Sequence, residues 1–360
     1  MKKIISVVGA RPQFIKMAVV SRVLRQYYEE VIVHTGQHYD HNMSEIFFEE
    51  LSIPKPDYNL GIAGGSHAEM TGKMMIELEK VFLKEKPAAV LLFGDTNSTL
   101  AAALASVKLL IPVLHVEAGN RFGTFDSPEE VNRIVTDHVS SILFSCTQSA
   151  YDALIAENLG DKAHLVGDPM YDAFLFYKEL AESGAESHLT GLNGEKLDFP
   201  TEFYYLTCHR QENTENISTL TNILSAMEEL DAKCIYPVHP RNKKRVVELL
   251  KSRSFENIIF CEPVSYLTSI KLVNNSKKII TDSGGLQREA YFAQKPCVTI
   301  LDFVVWPETM TKKRNQLAKP VKADILEKLA VKVTFDDNEK PFGDGKSAYK
   351  IVDIIKNTIN

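Results

Sequence analysis

The chain has 360 residues, 44% of them hydrophobic and 24% charged, with a formal net charge of −6; that length exceeds what one hydrophobic core usually serves and predicts two domains. A composition near the soluble globular average excludes a disordered or fibrous chain, and with no basic tract to release counterions, nucleic acid is not an expected partner. The five cysteines, Cys146, Cys208, Cys234, Cys261 and Cys297, lack the paired spacing of a zinc site or a disulfide framework and are read as reduced core residues.

In chain order, strands are expected at Ile4–Val8, Glu30–His34, Ala88–Phe93, Val113–Val116 and Ile142–Ser145, with helical stretches between them. No signal-peptide pattern precedes the first strand and no apolar run nears the roughly 20 residues that cross a bilayer, so a soluble cytoplasmic protein with no membrane partner is expected. The rhythm lapses between Gly167 and Phe203, where a helix at Met170–Ala181 is followed by a Gly-, Ser- and Asn-bearing linker, Ser183 to Pro200. Strands then resume at Phe203–Thr207, Lys233–Pro237, Ile258–Cys261, Lys278–Thr281 and Cys297–Leu301. A terminal helix is expected at Ser347–Ile359, where Ile351, Ile354 and Ile355 fall at helical spacing after the breaker run Pro341–Gly345.

Alternating strands and helices imply βαβ units with parallel sheets and right-handed crossovers. The expected fold is α/β, two Rossmann-like domains facing across a cleft: residues 1–168 joined by the terminal helix 346–360, and residues 169–345. Ligands of such sheets lie beyond the carboxyl ends of the strands, so the informative residues should follow strands.

After the first strand, Gly9-Ala10-Arg11-Pro12-Gln13-Phe14-Ile15-Lys16 leads into a helix carrying an Arg and a Lys. It reads either as a phosphate site or as an ordinary turn with two solvated cations. Neither the Gly-rich dinucleotide fingerprint nor a Walker loop is present, which argues against a dehydrogenase or a kinase. The third strand ends in Phe93-Gly94-Asp95-Thr96-Asn97-Ser98, the fourth in His115-Val116-Glu117-Ala118-Gly119, and Ser127-Pro128-Glu129-Glu130-Val131-Asn132-Arg133 follows. Helix capping explains each carboxylate alone. Three on one rim raise one another's pKa and can divide acid and base work.

In the second half, Cys208-His209-Arg210-Gln211-Glu212-Asn213 and Val238-His239-Pro240-Arg241 end two strands. Two His–Arg combinations read as a wall for an anionic ligand, against the alternative of structural histidines. Thr281-Asp282-Ser283-Gly284-Gly285-Leu286-Gln287-Arg288-Glu289 offers backbone N–H groups to a phosphate at a helix start, with Glu289 placed for a ribose diol; the bland reading is a glycine turn with a solvated Glu.

Together these residues resemble the non-hydrolysing UDP-N-acetylglucosamine 2-epimerases, of the glycosyltransferase-B-like fold. The match runs through Gly9–Pro12 with Lys16, Thr35-Gly36-Gln37-His38, Gly94-Asp95-Thr96, His115–Gly119, Pro128–Arg133, His209–Asn213, His239-Pro240 and Asp282–Gly285. The resemblance implies C2 epimerisation of a UDP-2-acetamido sugar for cell-surface polysaccharide precursors. UDP is eliminated to leave a 2-acetamidoglucal and then re-added, with no cofactor and no metal. It also implies Asp95, Glu117, Glu129 and His209 as catalytic, and Arg11, Lys16, Arg133, Arg210, His239, Ser283, Gly284, Gly285 and Glu289 as substrate-binding. A homodimer is the family expectation, and the second domain would bind UDP.

The chain departs from the family at two places. The regulated members' Arg-x-Met-Leu-Asp-Gln run after Gln-His reads Tyr39-Asp40-His41-Asn42-Met43-Ser44 here, and Thr-Glu-Arg-Pro-Glu reads Val304-Val305-Trp306-Pro307-Glu308. Both departures are similar to the branch acting on UDP-2,3-diacetamido-2,3-dideoxy-glucuronate. A hydrolysing epimerase releasing free N-acetylmannosamine, a glycosyltransferase and a nucleotide-sugar sensor are the competing readings.

Overall fold

The computed structural model describes residues 1–36, 48, 50–123, 125, 127–335 and 338–359; the Gln37-His38 pair and the Tyr39–Ser44 stretch lie outside the described residues. The chain divides into two compact units, Met1–Leu175 with Lys340–Asn360, and Phe176–Glu339.

The first unit opens with β1 (Lys3–Val8), α1 (Arg11–Leu24), β2 (Glu29–His34), β3 (Tyr58–Asn59), α2 (His67–Glu85) and β4 (Ala89–Phe93). It continues with α3 (Asn97–Lys108), β5 (Val113–Val116), α4 (Pro128–Val139), β6 (Ile142–Ser145), α5 (Gln148–Ala156) and β7 (Ala163–Leu165). The division falls within α6 (Pro169–Gly184). The second unit then begins with a hairpin, β8 (Leu189–Thr190) and β9 (Lys196–Leu197), followed by β10 (Phe203–Thr207), α7 (Gln211–Thr214), α8 (Ile217–Glu228) and β11 (Lys233–Pro237). It proceeds through α9 (Pro240–Ser252), β12 (Ile258–Cys261), α10 (Tyr266–Asn275), β13 (Ile279–Thr281) and α11 (Gly284–Phe292) to β14 (Cys297–Thr299), β15 (Asn315–Leu317) and α12 (Lys322–Ala330). α13 (Ser347–Thr358) belongs to the first unit.

The first sheet has the order β3-β2-β1-β4-β5-β6-β7 and the second β12-β11-β10-β13-β14-β15. Every pairing in them is parallel. Both are the doubly wound order of a Rossmann-like domain, in which the strand order reverses beside the first strand and opens a ligand crevice at the carboxyl ends. Central strands such as β1 and β4 are mostly apolar because helices cover both faces. Ile5, Val7, Val90 and Leu92 are at most 1% exposed and pack against Met74, Leu78 and Phe82 of α2. In the second unit Leu206, Tyr236 and Ile280 meet Leu220, Ile223 and Leu224 of α8.

All ten expected strands form, with ends shifted by at most two residues. The expected linker does not: residues 183–200 hold the β8–β9 hairpin, tied to the second sheet by a Gly191–Cys261 bridge and by Glu262 N donating to Thr190 O at 2.7 Å. The terminal segment re-enters the first unit at a Gly167–Gly343 crossing, where Asp168 N donates to Phe342 O at 2.9 Å. There α13 packs on α1 and its start is held by Asp172, which accepts from Ala348 N at 2.8 Å. Among the described residues, no helix is long and apolar enough to cross a membrane.

Candidate functional site

At the rim of the first sheet, one buried amide fixes the loops. Gln13 accepts from Gly9 N at 2.7 Å and Ala10 N at 2.9 Å, and donates to Phe93 O at 2.6 Å and to Thr99 Oγ1 at 2.9 Å. It therefore bonds the turn after β1 to the turn after β4 and satisfies backbone groups that the strand ends leave open. Pro12 suits the first turn of α1, where no N–H is needed. Lys16, one turn on, points back to this rim.

The Lys16 ammonium lies 2.5 Å from the Glu117 carboxylate, and both side chains are buried. A buried charge needs such a partner. Glu117 follows β5 with φ +72°, a left-handed backbone that costs a non-glycine residue about 1–2 kcal/mol and is tolerated where a side chain must be aimed. Asp95 follows β4 and pairs with Arg133 of α4, which also pairs with buried Glu130 and lies 4.5 Å over the Phe122 ring. Glu130 further accepts from Phe122 N at 2.8 Å, so it holds the loop ahead of α4. Its neighbour Glu129 is exposed and accepts from Ser127 Oγ at 2.7 Å. Asp95, Glu129 and Lys16 line one cavity of about 250 Å³ with His67, Asn97 and Asn132. The first unit thus gathers Lys16, Asp95, Glu117, Glu129 and Arg133 on one rim; Arg11 sits half-buried at the start of α1.

Behind that rim, His115 Nδ1 lies 2.6 Å from Asp137 Oδ1 and Nε2 lies 2.7 Å from Gly94 O. Asp137 also accepts from Gly119 N at 3.0 Å and pairs with Arg121 at 2.8 Å. Burial pushes the Asp137 carboxyl up, but His115 and Arg121 outweigh it and hold the group below its ordinary range. The network fixes the two turns that present Asp95 and Glu117.

In the second unit, His209 follows β10 with Nδ1 3.0 Å from Asp282 Oδ1, and its ring stacks on His239 at 5.6 Å. Asp282 is fully buried and its Oδ2 accepts from His209 N and Arg210 N, each at 2.9 Å. Burial raises this carboxyl, yet the His209 and backbone bonds bring it below its ordinary value. Arg210 Nε donates to Asp282 O at 2.9 Å and its guanidinium lies 5.3 Å over the Phe303 ring. Ser283 caps α11 by accepting from Leu286 N. At Gly284 a Cβ would lie 3.0 Å from Val305 Cγ1, so that side chain would have to give by a few tenths of an ångström. Trp306, at the position where the family carries an arginine, is stacked 4.0 Å under Arg288. Glu289 faces Tyr266 from α11; burial raises its carboxyl to about 7, against the Tyr266 hydroxyl and Arg288. His209, Arg210, His239 and the Ser283–Gly285 turn therefore share the carboxyl ends of neighbouring strands, with Glu289 in the second turn of α11.

Sequence reasoning passed over Gln13, Glu130, the His115–Asp137 pair, Cys146, Asp168 and the orienting role of Asp282. Cys146 and Asp168 are buried with polar atoms within 4.8 Å of each other and of Glu117. These atom types can ligate a metal, but Lys16 already supplies the positive charge on Glu117.

A model of the family described as UDP-N-acetylglucosamine 2-epimerase matches residues 22–356. A UDP-N-acetylglucosamine 2-epimerase homolog of Methanococcus maripaludis is 46% identical over 361 residues, 99% of each chain. The UDP-2,3-diacetamido-2,3-dideoxy-D-glucuronate 2-epimerase of Pseudomonas aeruginosa is 45% identical over 363 residues, 98% of this chain and 99% of the relative. The crystal structure of Methanocaldococcus jannaschii UDP-GlcNAc 2-epimerase in complex with UDP-GlcNAc and UDP superposes with a TM-score of 0.88 at 40% identity, covering 99% of this chain and 100% of that one.

Proposed function

The chain belongs to the UDP-N-acetylglucosamine 2-epimerase family, and from that premise we propose that it inverts C2 of a UDP-activated 2-acetamido sugar without hydrolysing it, converting UDP-N-acetylglucosamine to UDP-N-acetylmannosamine. The observation that carries this reading is the carboxylate rim of the first unit, with Asp95 and Glu129 lining the cavity that Lys16 also lines and Glu117 held on the Lys16 ammonium. A carboxylate removes the C2 proton while the C1–oxygen bond to the diphosphate breaks, its electron pair leaving with UDP and the C2–H pair forming the C1=C2 bond of a 2-acetamidoglucal. A carboxylic acid then returns a proton to the opposite face of C2 as UDP re-adds at C1. General acid–base work of this sort contributes roughly 10²–10⁴-fold.

In the second unit, His209 is oriented by Asp282 as an imidazole is in an Asp–His pair, with its other nitrogen left for substrate. With Arg210, His239 and the amides at the start of α11 it meets the charge developing on the departing diphosphate. Glu289 holds the ribose. Arg11 adds a cation for the diphosphate, and Arg133 fixes Asp95. The enzyme would work in the cytoplasm as a homodimer, supplying cell-surface polysaccharide precursors. In support of the dimer, α2 leaves Ile76 and Leu83, seven residues apart, each 57% exposed.

The test is incubation with UDP-N-acetylglucosamine in deuterated water, following the C1 and C2 protons by NMR. Deuterium at C2 of both UDP-linked epimers with little free sugar is expected; free N-acetylmannosamine would place the chain with hydrolysing enzymes. A second reading, the same chemistry on UDP-2,3-diacetamido-2,3-dideoxy-glucuronate, is favoured by the 45% identical relative and by Trp306. Silence on the first substrate and exchange on the second would select it.

A further inference from the structure

We propose that Asp168 is a positioning residue whose charge sets the protonation of Glu117. This rests on the epimerase reading for its consequence but not for its test. Glu117 is held by Lys16 at 2.5 Å, and an ammonium that close favours the ionised carboxylate and makes it a weak base. Something must oppose Lys16 if Glu117 is to exchange a proton near working pH. Asp168, fully buried, brings a carboxylate oxygen within 4.8 Å of that of Glu117. At that range a like charge disfavours ionisation. A proton taken up by Glu117 relieves the repulsion between the two carboxylates.

Among the described residues, charged and titratable groups reach Glu117 from several elements. Lys16 arrives from α1, Cys146 from the end of β6 and Asp168 from the residue ahead of α6. The turn after β4 passes Glu117 at Gly94, and its Asp95 is paired with Arg133. His115, two residues earlier on β5, is turned to Asp137 and Gly94 O. Asp172, whose carboxyl burial raises, accepts from Ala348 N at 2.8 Å.

Asp168 is itself fixed at both ends. Its Oδ1 accepts from Met170 N at 2.8 Å and its N–H donates to Phe342 O at 2.9 Å. The carboxylate thus reaches Glu117 from a point that is locked by the returning terminal segment, as a positioning residue requires.

Asp168→Asn separates charge from structure. An asparagine oxygen accepts from Met170 N as the carboxylate does and caps a helix as well, while the negative charge is gone. Cys146→Ala is the packing control, because it disturbs the same cluster and leaves every charge in place. The carboxyl band of Glu117 is titrated by infrared difference spectroscopy, with Glu117→Gln marking which band is lost; no turnover is needed. In Asp168→Asn the Glu117 titration is expected to fall by about one pH unit, and the limb of kcat/KM that Glu117 governs to move to lower pH with it, while Cys146→Ala stays at the wild-type value. An unmoved titration in Asp168→Asn, or an equal shift in Cys146→Ala, overturns the proposal. A wild-type protein that fails to epimerise sinks the epimerase reading instead, and the infrared titration still decides the coupling.

Discussion

Glu289 is an acid whose ionisation the fold resists. Its carboxyl lies among α11 and α10 residues, and burial lifts it to about 7 from an ordinary value near 4.5. A carboxyl raised on folding stabilises the protein below its unfolded pKa and loses that contribution as pH rises through its folded pKa. The loss is therefore confined between about pH 4.5 and 7, and amounts to roughly 3 kcal/mol at most. Glu289→Gln removes the ionisation. Its denaturation midpoint is expected to lie close to wild type at pH 5 and above it at pH 8; an equal difference at both pH values would show that Glu289 is not raised. At the same scale, Asp282 lets one carboxylate orient His209 and hold the backbone of His209 and Arg210 together.

The turns are where the elements acquire their function, and Gly119 shows why they tolerate little change. It follows β5 at φ +87°, and a Cβ there would lie 2.2 Å from Ala150 O of α5, which is backbone and cannot step aside. Gly119→Ala is expected to cost roughly 2–4 kcal/mol, combining a left-handed backbone penalty with overpacking. Urea midpoints at fixed pH measure this, and a loss under 1 kcal/mol would mean that α5 can move. Such constraints explain what the sequence could and could not disclose. The long strands were legible because Ala89–Phe93 forms an unbroken apolar run and Ile4–Val8 is interrupted only by Ser6. β15 was not, since Asn-Gln-Leu carries no strand pattern and is held by its pairing with β14 and by Thr299 Oγ1 on Asn315 Oδ1 at 2.7 Å. The hairpin β8–β9 hid in a Gly- and Asn-bearing stretch for the same reason. At the site, carboxylates following strands were visible as motifs. The choice of Glu129 for the cavity and Glu130 for the loop was made by tertiary contacts, and the cluster of Glu117 with Cys146 and Asp168 joins residues from three separate strand ends, with no local spacing to announce it.

For the molecule as a whole, the proposed homodimer makes a claim about mass. With Ile76 and Leu83 on an exposed face of α2, light scattering is expected to report twice the 40.4 kDa of the chain. The double variant Ile76→Asp, Leu83→Asp should report the single mass with each unit still folded by circular dichroism. A wild-type protein at the single mass would remove the dimer.

The return of the chain to its first unit has a consequence on the ribosome. Residues through Leu175 emerge early, yet α13, whose Ile351, Val352 and Ile355 are buried against that unit, follows the whole of Phe176–Glu339. At roughly 5–20 residues per second, that delay is on the order of ten to thirty seconds. Throughout it, the apolar surface of α1 that α13 covers stands open to solvent, and the crossing at Gly167 that locks Asp168 is unmade. The second unit, continuous in sequence, can be complete before the first is closed, so the half that comes off the ribosome first is the last to become native.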